Sequence, residues 1–490
     1  MAEYLFAEGV NIYATLFDTN DLATVRGSSQ TLEELAGTLH AELGGTLIDQ
    51  GASRALIRFD DINPRRGAAV SDFLEQSPWC HFTIVHGTGD TPDAAERAAR
   101  LAQIRGWSVP LSVRNDGEVP DVLNQTHAAT ETERFPTDTP GKPYEDRPIS
   151  ASVKVRRKKG QTIRPHLYRD GKHPSGMAPP KSLEDLVLTG GQTRMVTDRK
   201  IAVVCADGIG GGALREGFGL HDAGRIDYMN RIAGFRDRLA RRIEAFLGEH
   251  HRFHMEGSHR VRPMLDELVW GGDDMTFVLP AEDLLPFLQV FFEETDRHDP
   301  DTFAAGFPHR AGCIVASYKT PIRLMRALAS QAEGAVKEGL AAKGIAPQST
   351  FTIDVFESSA LPFDSPVAYR KSQYGAGYAV GDDLFLAADA ARLLDFSARY
   401  VSRDDPGSDS LSLTQIFRAL ETLRKERKDV CESGAIRLTS DLLKDHFTRQ
   451  DGNDPPIEDW IAAFSGVPRT LPMLLAQLAQ IHPYAERRNG

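Results

Sequence analysis

The sequence predicts an α+β chain of two ferredoxin-like units, each in β-α-β-β-α-β order, followed by a helical bundle. Three observations support this. Strand-like and helix-like apolar runs occur twice in that order. In each copy two short apolar runs are joined by a glycine-containing tetrapeptide, first Gln50-Gly51-Ala52-Ser53 and then Gly271-Gly272-Asp273-Asp274. From residue 391 onward only helical periodicity remains.

The first copy occupies residues 1–114. NIYATLFD reads as its opening strand, and SQTLEELAGTLHAEL as a helix with Ser29 at its cap. TLID and RALIRF form the hairpin, WCHFTIVHG another strand, and PDAAERAARLAQIR a helix leading to WSVPLSV. Residues 115–195 are rich in Pro, Gly, Thr and Asp and read as a loop-rich linker. That segment holds a strongly basic stretch, residues 154–181.

The second copy spans 196–390. RKIAVVCAD reads as a buried strand, because its apolar residues run unbroken and are partly β-branched. A helix over 225–248 sets Met229, Ile232, Leu239, Ile243 and Phe246 at helical spacing. ELVW and MTFVLP flank the GGDD turn. AEDLLPFLQVFFEET then reads as helix, RAGCIVASYK as strand, PIRLMRALASQAEGAVKEGLAAK as helix and FTIDVFES as strand. The two copies are not alike residue by residue, so the repeat is one of element order. Residues 391–490 read as a C-terminal helical bundle, on runs such as SLTQIFRALETLRKERKDV and LPMLLAQLAQI.

With 490 residues the chain can bury several cores. A net charge of −12 argues against a surface given over to nucleic acid. Cys80, Cys205, Cys313 and Cys431 stand far apart, which excludes a thiolate zinc site and fits buried thiols in a reducing compartment. The N-terminus carries no signal-peptide pattern, and no apolar run reaches about 18 residues. A cytoplasmic protein away from the membrane is expected.

The chemistry concentrates on three acids. Asp207 closes a strand, and Asp273 and Asp274 sit on the hairpin that this strand order places beside it. Magnesium takes hard oxygen ligands, and phosphoryl or nucleotidyl transfer relies on metal to gather the triphosphate and stabilise charge. Asp207, Asp273 and Asp274 are therefore the candidate catalytic acids and metal ligands, for two Mg²⁺ or Mn²⁺ ions and a nucleoside triphosphate. Gly208, Gly210, Gly271 and Gly272 are candidate nucleotide contacts, since they free backbone for phosphate. Lys319, at the end of CIVASYK, is a candidate phosphate partner beside its plainer reading as a solvated lysine. Arg323 and Arg326 read as solvated.

Other readings compete. A GGDD tetrapeptide is more often a polar turn, and Gly381-Asp382-Asp383 reads as one. GIGGGA fits a loose dinucleotide fingerprint, but that fold needs a second parallel strand ending in an acid where RIDYMNRIAGFRDRLARRI reads as helix. His221-Asp222 and His298-Asp299 lack the further ligands of an HD phosphohydrolase. His250, His251 and His254 cluster at a helix end, where they suit the dipole. The basic stretch at 154–181 fits either RNA phosphates or a solvated linker.

On VVCADGIGGG, LVWGGDDMTFVLP, AGCIVASYKTPIRLMRALASQAEGAVKEG and FTIDVFES, the chain resembles the polymerase-like large subunit of type III CRISPR effector complexes and its stand-alone relatives. FDTNDLATVRGSSQTLEELA looks like the family's strand, glycine-serine turn and helix in the first copy. The resemblance implies two palm domains, the second catalytic, that join ATP into cyclic or linear oligoadenylate messengers of antiviral defence. It implies that Asp207, Asp273 and Asp274 hold two magnesium ions, and that Ser28 and Ser29 help bind the second nucleotide. Guide or target RNA through 154–181, other effector subunits, or a second copy of the chain are the implied partners. Ile209 stands where relatives often carry a second acid, and the cysteines of the family's zinc module are missing. The alternative function is a nucleotide- and RNA-binding scaffold subunit without turnover.

Overall fold

The computed structural model describes residues 2–400 except 11, 13–15, 52, 62–65, 77–81, 106–118, 126, 138–139, 141, 163–177, 188–198, 220, 251–252, 257–259, 357–364 and 375–377. Beyond residue 400 it describes Phe464, Val467, Gln477 and Ile481. The first sheet joins β1 (Ala2–Gly9), β2 (Thr46–Gln50), β3 (Arg54–Phe59) and β4 (Phe82–Gly89) in the order β2-β3-β1-β4, with every pairing antiparallel. Helices α1 (Leu22–Leu43), α2 (Arg66–Gln76) and α3 (Pro92–Arg105) complete this half.

Two expectations need correction here. The opening strand is Ala2–Gly9, not residues 11–18, and Ile12 and Leu16 are helical. Two short apolar runs lie side by side, and neither length nor periodicity separates them. Helix α1 also starts earlier than Ser29. Asp21 is its cap, accepting from the Thr24 N–H at 2.9 Å. Gly27, Ser28 and Ser29 are therefore buried helix residues and form no turn.

The segment read as linker contains structure. Strands β5 (Glu131–Pro136) and β6 (Tyr144–Ile149) pair as a hairpin, and α4 (Ala151–Gly160) follows, capped by Ser150. Helices α1 and α4 meet backbone to backbone. A Cβ on Gly27 would overlap the Arg156 carbonyl, and one on Gly160 would overlap that of Ala23. Arg156 then reaches Asp18 at 2.7 Å and Ser28 Oγ at 3.2 Å. Arg26 donates to Gly160 O at 3.0 Å and to Asp266 at 2.8 Å, tying the helix pair to the second sheet. Three α4 cations are turned onto this chain's own acids: Lys154 to Glu131, Arg157 to Glu133 and Lys159 to Glu34.

The second sheet begins with β7 (Lys200–Gly208), followed by α5 (Gly211–Gly217) and α6 (Asp222–Glu249). A small hairpin, β8 (Phe253–Glu256) and β9 (Arg260–Pro263), precedes the central hairpin of β10 (Asp266–Gly271) and β11 (Asp274–Pro280). Then come α7 (Leu284–Thr295), β12 (His309–Ser317), α8 (Ile322–Ala342), β13 (Thr350–Val355), α9 (Pro366–Tyr374), β14 (Phe385–Leu386) and α10 (Asp389–Tyr400). The sheet order is β10-β11-β7-β12-β13-β14, with β12 and β13 parallel and the other pairs antiparallel. Its first four positions follow from β-α-β-β-α-β wiring, and β13 is added beyond β12 through α8.

Alternation along β7 feeds both faces of this sheet. Ala202, Val204 and Ala206 pack under Phe235, Leu239 and Phe246 of α6 and Phe287 and Phe291 of α7. Ile201, Val203 and Cys205 pack with Met325, Leu328 and Ala332 of α8 and with Leu22, Val25 and Leu32 of α1. Helix α1 thus belongs to both halves. Gly381-Asp382-Asp383 is a turn as expected, but its acids are buried. Arg370 bridges Asp354 and Asp383, each at 2.5 Å, and Tyr378 donates to Asp383 at 2.8 Å. Of the helical bundle, α10, Gln477 and Ile481 are described as helical, Phe464 and Val467 lie at a turn and a bend, and the rest lies outside the described residues; Phe464 and Ile481 join the main core. Among the described residues no helix is long and apolar enough to cross a membrane.

Gly27→Ala is expected to prise α1 from α4 and cost on the order of 3 kcal/mol, read as a lowered urea midpoint. His309 supplies a pH signature. It is fully buried, lies 5.6 Å from the Phe235 ring and shares a 2.6 Å contact between Nδ1 and Phe307 O. Burial pushes its pKa down to about 4, with Arg310 adding to that. The unfolded ring protonates first, near pH 6.5, so stability should fall as pH drops from there towards 4. The loss from this group is about 3 kcal/mol. Chemical melts at pH 7 and 4.5 would measure it, and His309→Phe should flatten the slope.

Candidate active site

Three strands bring the acids together. On the hairpin Gly271 pairs with Asp274, so Gly272 and Asp273 form a two-residue turn, with Gly272 at a φ of +69° that glycine adopts without strain. Across the next ladder Met275 pairs with Ala206, which sets Asp274 beside Asp207 one step further on. Across the ladder after that Asp207 pairs with Arg310. Asp274, Asp207 and Arg310 thus stand at one level of three adjacent strands. Asp273 folds back over the end of β7. A Cβ on Gly208 would come within 2.8 Å of the Asp273 Cβ and 2.7 Å of the Phe307 ring, and one on Gly211 would overlap the Asp273 carboxylate. These glycines make room for an acid. Gly210, at a φ of +75°, starts α5. Gly271 is the buried end of β10.

The electrostatics follow from this crowding. The Asp273 pKa is pushed up to about 6, first by burial and then by the charge of Asp207. Asp274 is pushed up to about 7, by burial first and then by Asp207 and Asp273. Asp274 keeps an open side to solvent, which softens the burial cost and leaves the repulsion among the carboxylates intact. Arg310 offsets part of that repulsion through an ion pair with Asp207, and its Nε bonds Glu333 of α8 at 2.7 Å. Among the described residues no three His, Cys, Asp or Glu side chains converge as a ready metal cage. The donor chemistry still suits a hard dication: carboxylate oxygens that repel one another, one of them held by a guanidinium.

The other candidates lie elsewhere. Because β12 runs antiparallel to β7, Ser317 pairs with Lys200 while Arg310 pairs with Asp207. Lys319 therefore lies roughly 25 Å from the acids, at the far end of the sheet, and cannot serve phosphate there. Ser28 is buried in α1, donating to Thr24 O at 2.8 Å and accepting from Arg156. Ser29 is buried in the same helix. Neither faces the acid cluster. The basic stretch is described only at its two ends, and residues 163–177 lie outside the described residues.

Arg310 and Glu333 carry no signal in the sequence. Only the strand register discloses them. The first hairpin holds another acid with no mark in the sequence. Asp49, beside that turn, is buried and meets Arg54 at 2.8 Å, and Arg215 and Arg225 of the second half at 2.6 and 3.4 Å. Glu96 on α3 shares Arg215 and Arg225. A cavity of about 260 Å³ lies between α3 and α5, lined in part by these side chains.

Fold and site together define an α+β chain with two main sheets among the described residues, in which a carboxylate cluster crowns the central strands of the second. Solved structures share this fold over nearly the whole chain. Csm1 from T. onnurineus matches at a TM-score of 0.54 and 14% identity, over 99% of this chain and 70% of that one. A Csm1–Csm4 cassette in complex with cA4 matches at 0.52 and 14% identity, over 99% and 70%. The same cassette in complex with one ATP matches at 0.53 and 13%, with the same coverage. At these identities the likeness is one of fold. No protein-family model and no curated protein matches the sequence.

Asp274→Asn removes a charge from a repelling cluster. In chelator at pH 8 it should raise the melting temperature by a few degrees. A lower melting temperature would mean that the Asp274 charge stabilises the metal-free fold.

Proposed function

We propose that the chain is a metal-dependent nucleotidyltransferase of the Csm1 type, making cyclic or linear oligonucleotides from ATP or another nucleoside triphosphate in a type III CRISPR-like antiviral system. The observation that carries this reading is the level register of Asp274 and Asp207 on adjacent strands, with Asp273 folded over them, in a chain with the fold of Csm1. Cassettes of that protein have been solved with ATP and with pppApApA. Asp207, Asp273 and Asp274 would hold Mg²⁺ or Mn²⁺, which when bound would stabilise charge on the attacking and leaving oxygens.

In the reaction a ribose hydroxyl of one nucleotide attacks the α-phosphate of another. A new P–O bond forms, the α–β anhydride breaks, pyrophosphate leaves and the hydroxyl proton passes to solvent. Protein residues position and neutralise, as such a loose transition state requires. Gly208 and Gly211 keep the floor beside Asp273 free of side chains. Gly210, Gly271 and Gly272 leave backbone open where a triphosphate would approach. A Csm4-like subunit is the natural protein partner on this reading, as are RNA or a second copy of the chain. The pairing of Lys154, Arg157 and Lys159 with the chain's own acids leaves Lys158 as the exposed α4 cation and weakens the case for RNA at residues 154–160.

Purified protein incubated with each ribonucleoside triphosphate and Mg²⁺ or Mn²⁺ should yield oligonucleotides and pyrophosphate by mass spectrometry. The Asp273→Ala/Asp274→Ala variant should lose at least a hundredfold of that activity. ATP binding without product in any metal, and with partner subunits added, would leave a nucleotide-binding scaffold instead.

A further inference from the structure

The cation standing on Asp207 is part of the chain. Arg310 sits directly opposite Asp207 in the β12–β7 ladder, with its side chain largely buried, and divides its guanidinium between Asp207 and Glu333. Glu333 is on α8, beneath the sheet, and its side chain is also mostly buried. A guanidinium is always charged and forks naturally between two carboxylates. Asp207 therefore cannot offer both oxygens to a dication while this pair persists.

We infer that Arg310 is a resident counter-ion that competes with divalent metal for Asp207, and that Glu333 is the acceptor to which it withdraws when metal binds. The inference rests on the proposed metal role of Asp207, Asp273 and Asp274. Arg310 is thus a positioning residue that sets the metal affinity of the cluster, and Glu333 tunes it. A charge that merely adds to the local field would shift affinity independently of its neighbour. A shared guanidinium makes the two side chains interdependent.

The test is Mn²⁺ binding to the full chain without nucleotide, followed by the electron paramagnetic resonance of free Mn²⁺. Arg310→Gln should bind Mn²⁺ about tenfold more tightly, since Asp207 is released. Glu333→Gln should bind it several-fold more weakly, because the guanidinium then rests wholly on Asp207. In the Arg310→Gln background the second substitution should weaken binding far less than it does in the wild type, since only the direct charge of Glu333 on the cluster is then lost. Unchanged or weaker binding by Arg310→Gln, or additive effects in the double variant, overturns the inference. If Arg310→Gln does not fold, Glu333→Gln decides alone, and binding as tight as wild type overturns it. Wild-type protein that binds no Mn²⁺, or binds it equally after Asp273→Ala/Asp274→Ala, defeats the parent reading and this inference with it.

Discussion

Three charges at one end of a sheet depend on the register of three strands. Asp274 on β11, Asp207 on β7 and Arg310 on β12 share a level because β7 is antiparallel to both neighbours. A one-residue slip in the β11–β7 or the β12–β7 ladder would turn Asp274 or Arg310, respectively, to the other face and break the cluster. What prevents the slip is the packing on both faces of β7, where Val204 and Ala206 lie under α6 and α7 while Val203 and Cys205 lie over α8 and α1. Each face would have to bury the other's side chains for the register to move. The site is held by the hydrophobic core rather than by bonds among its own residues, which mostly repel.

The first half bears on that core by two routes. Helix α1 contributes Leu22, Val25 and Leu32 to the face carrying α8, and Arg26 ties it to Asp266 on β10. On the other side Asp49 and Glu96 take the arginines of α5, which begins at Gly211 beside Asp273, and of α6. These are buried ion pairs. Their net worth in stability is small, but removing one partner strands a charge, so they favour one docking of the halves over others. The first sheet has no acid pair at its hairpin. Its acid beside that turn, Asp49, is engaged in holding the second sheet's arginines.

Most of the second half was legible from residues alone. RKIAVVCAD is an unbroken, partly β-branched apolar run, GGDD joins two such runs, and the segment after CIVASYK has helical spacing; the structure follows them within a few residues. The first half was less so. AEYLFAEG and NIYATLFD are equally short apolar runs, and Gly27-Ser28-Ser29 carries turn residues that close helix packing required instead. The helix at 151–160 hid in a basic run because its cations pair with acids distant in sequence, a pattern that no local window contains. Lys319 illustrates a related limit of local spacing. Spacing identifies it as a strand end, but only antiparallel pairing says which end. Arg310, adjacent to the acids, had no local mark at all.

The proposed activity requires a dication among Asp207, Asp273 and Asp274, and crystals grown with Mn²⁺ and a non-hydrolysable ATP analogue test that most directly. Anomalous difference maps at the manganese edge should place metal between these carboxylates, with the triphosphate beside Gly210 and Gly272 and Arg310 moved from Asp207 to Glu333. Nucleotide bound elsewhere, with no anomalous peak at the cluster and Arg310 still on Asp207, would contradict it.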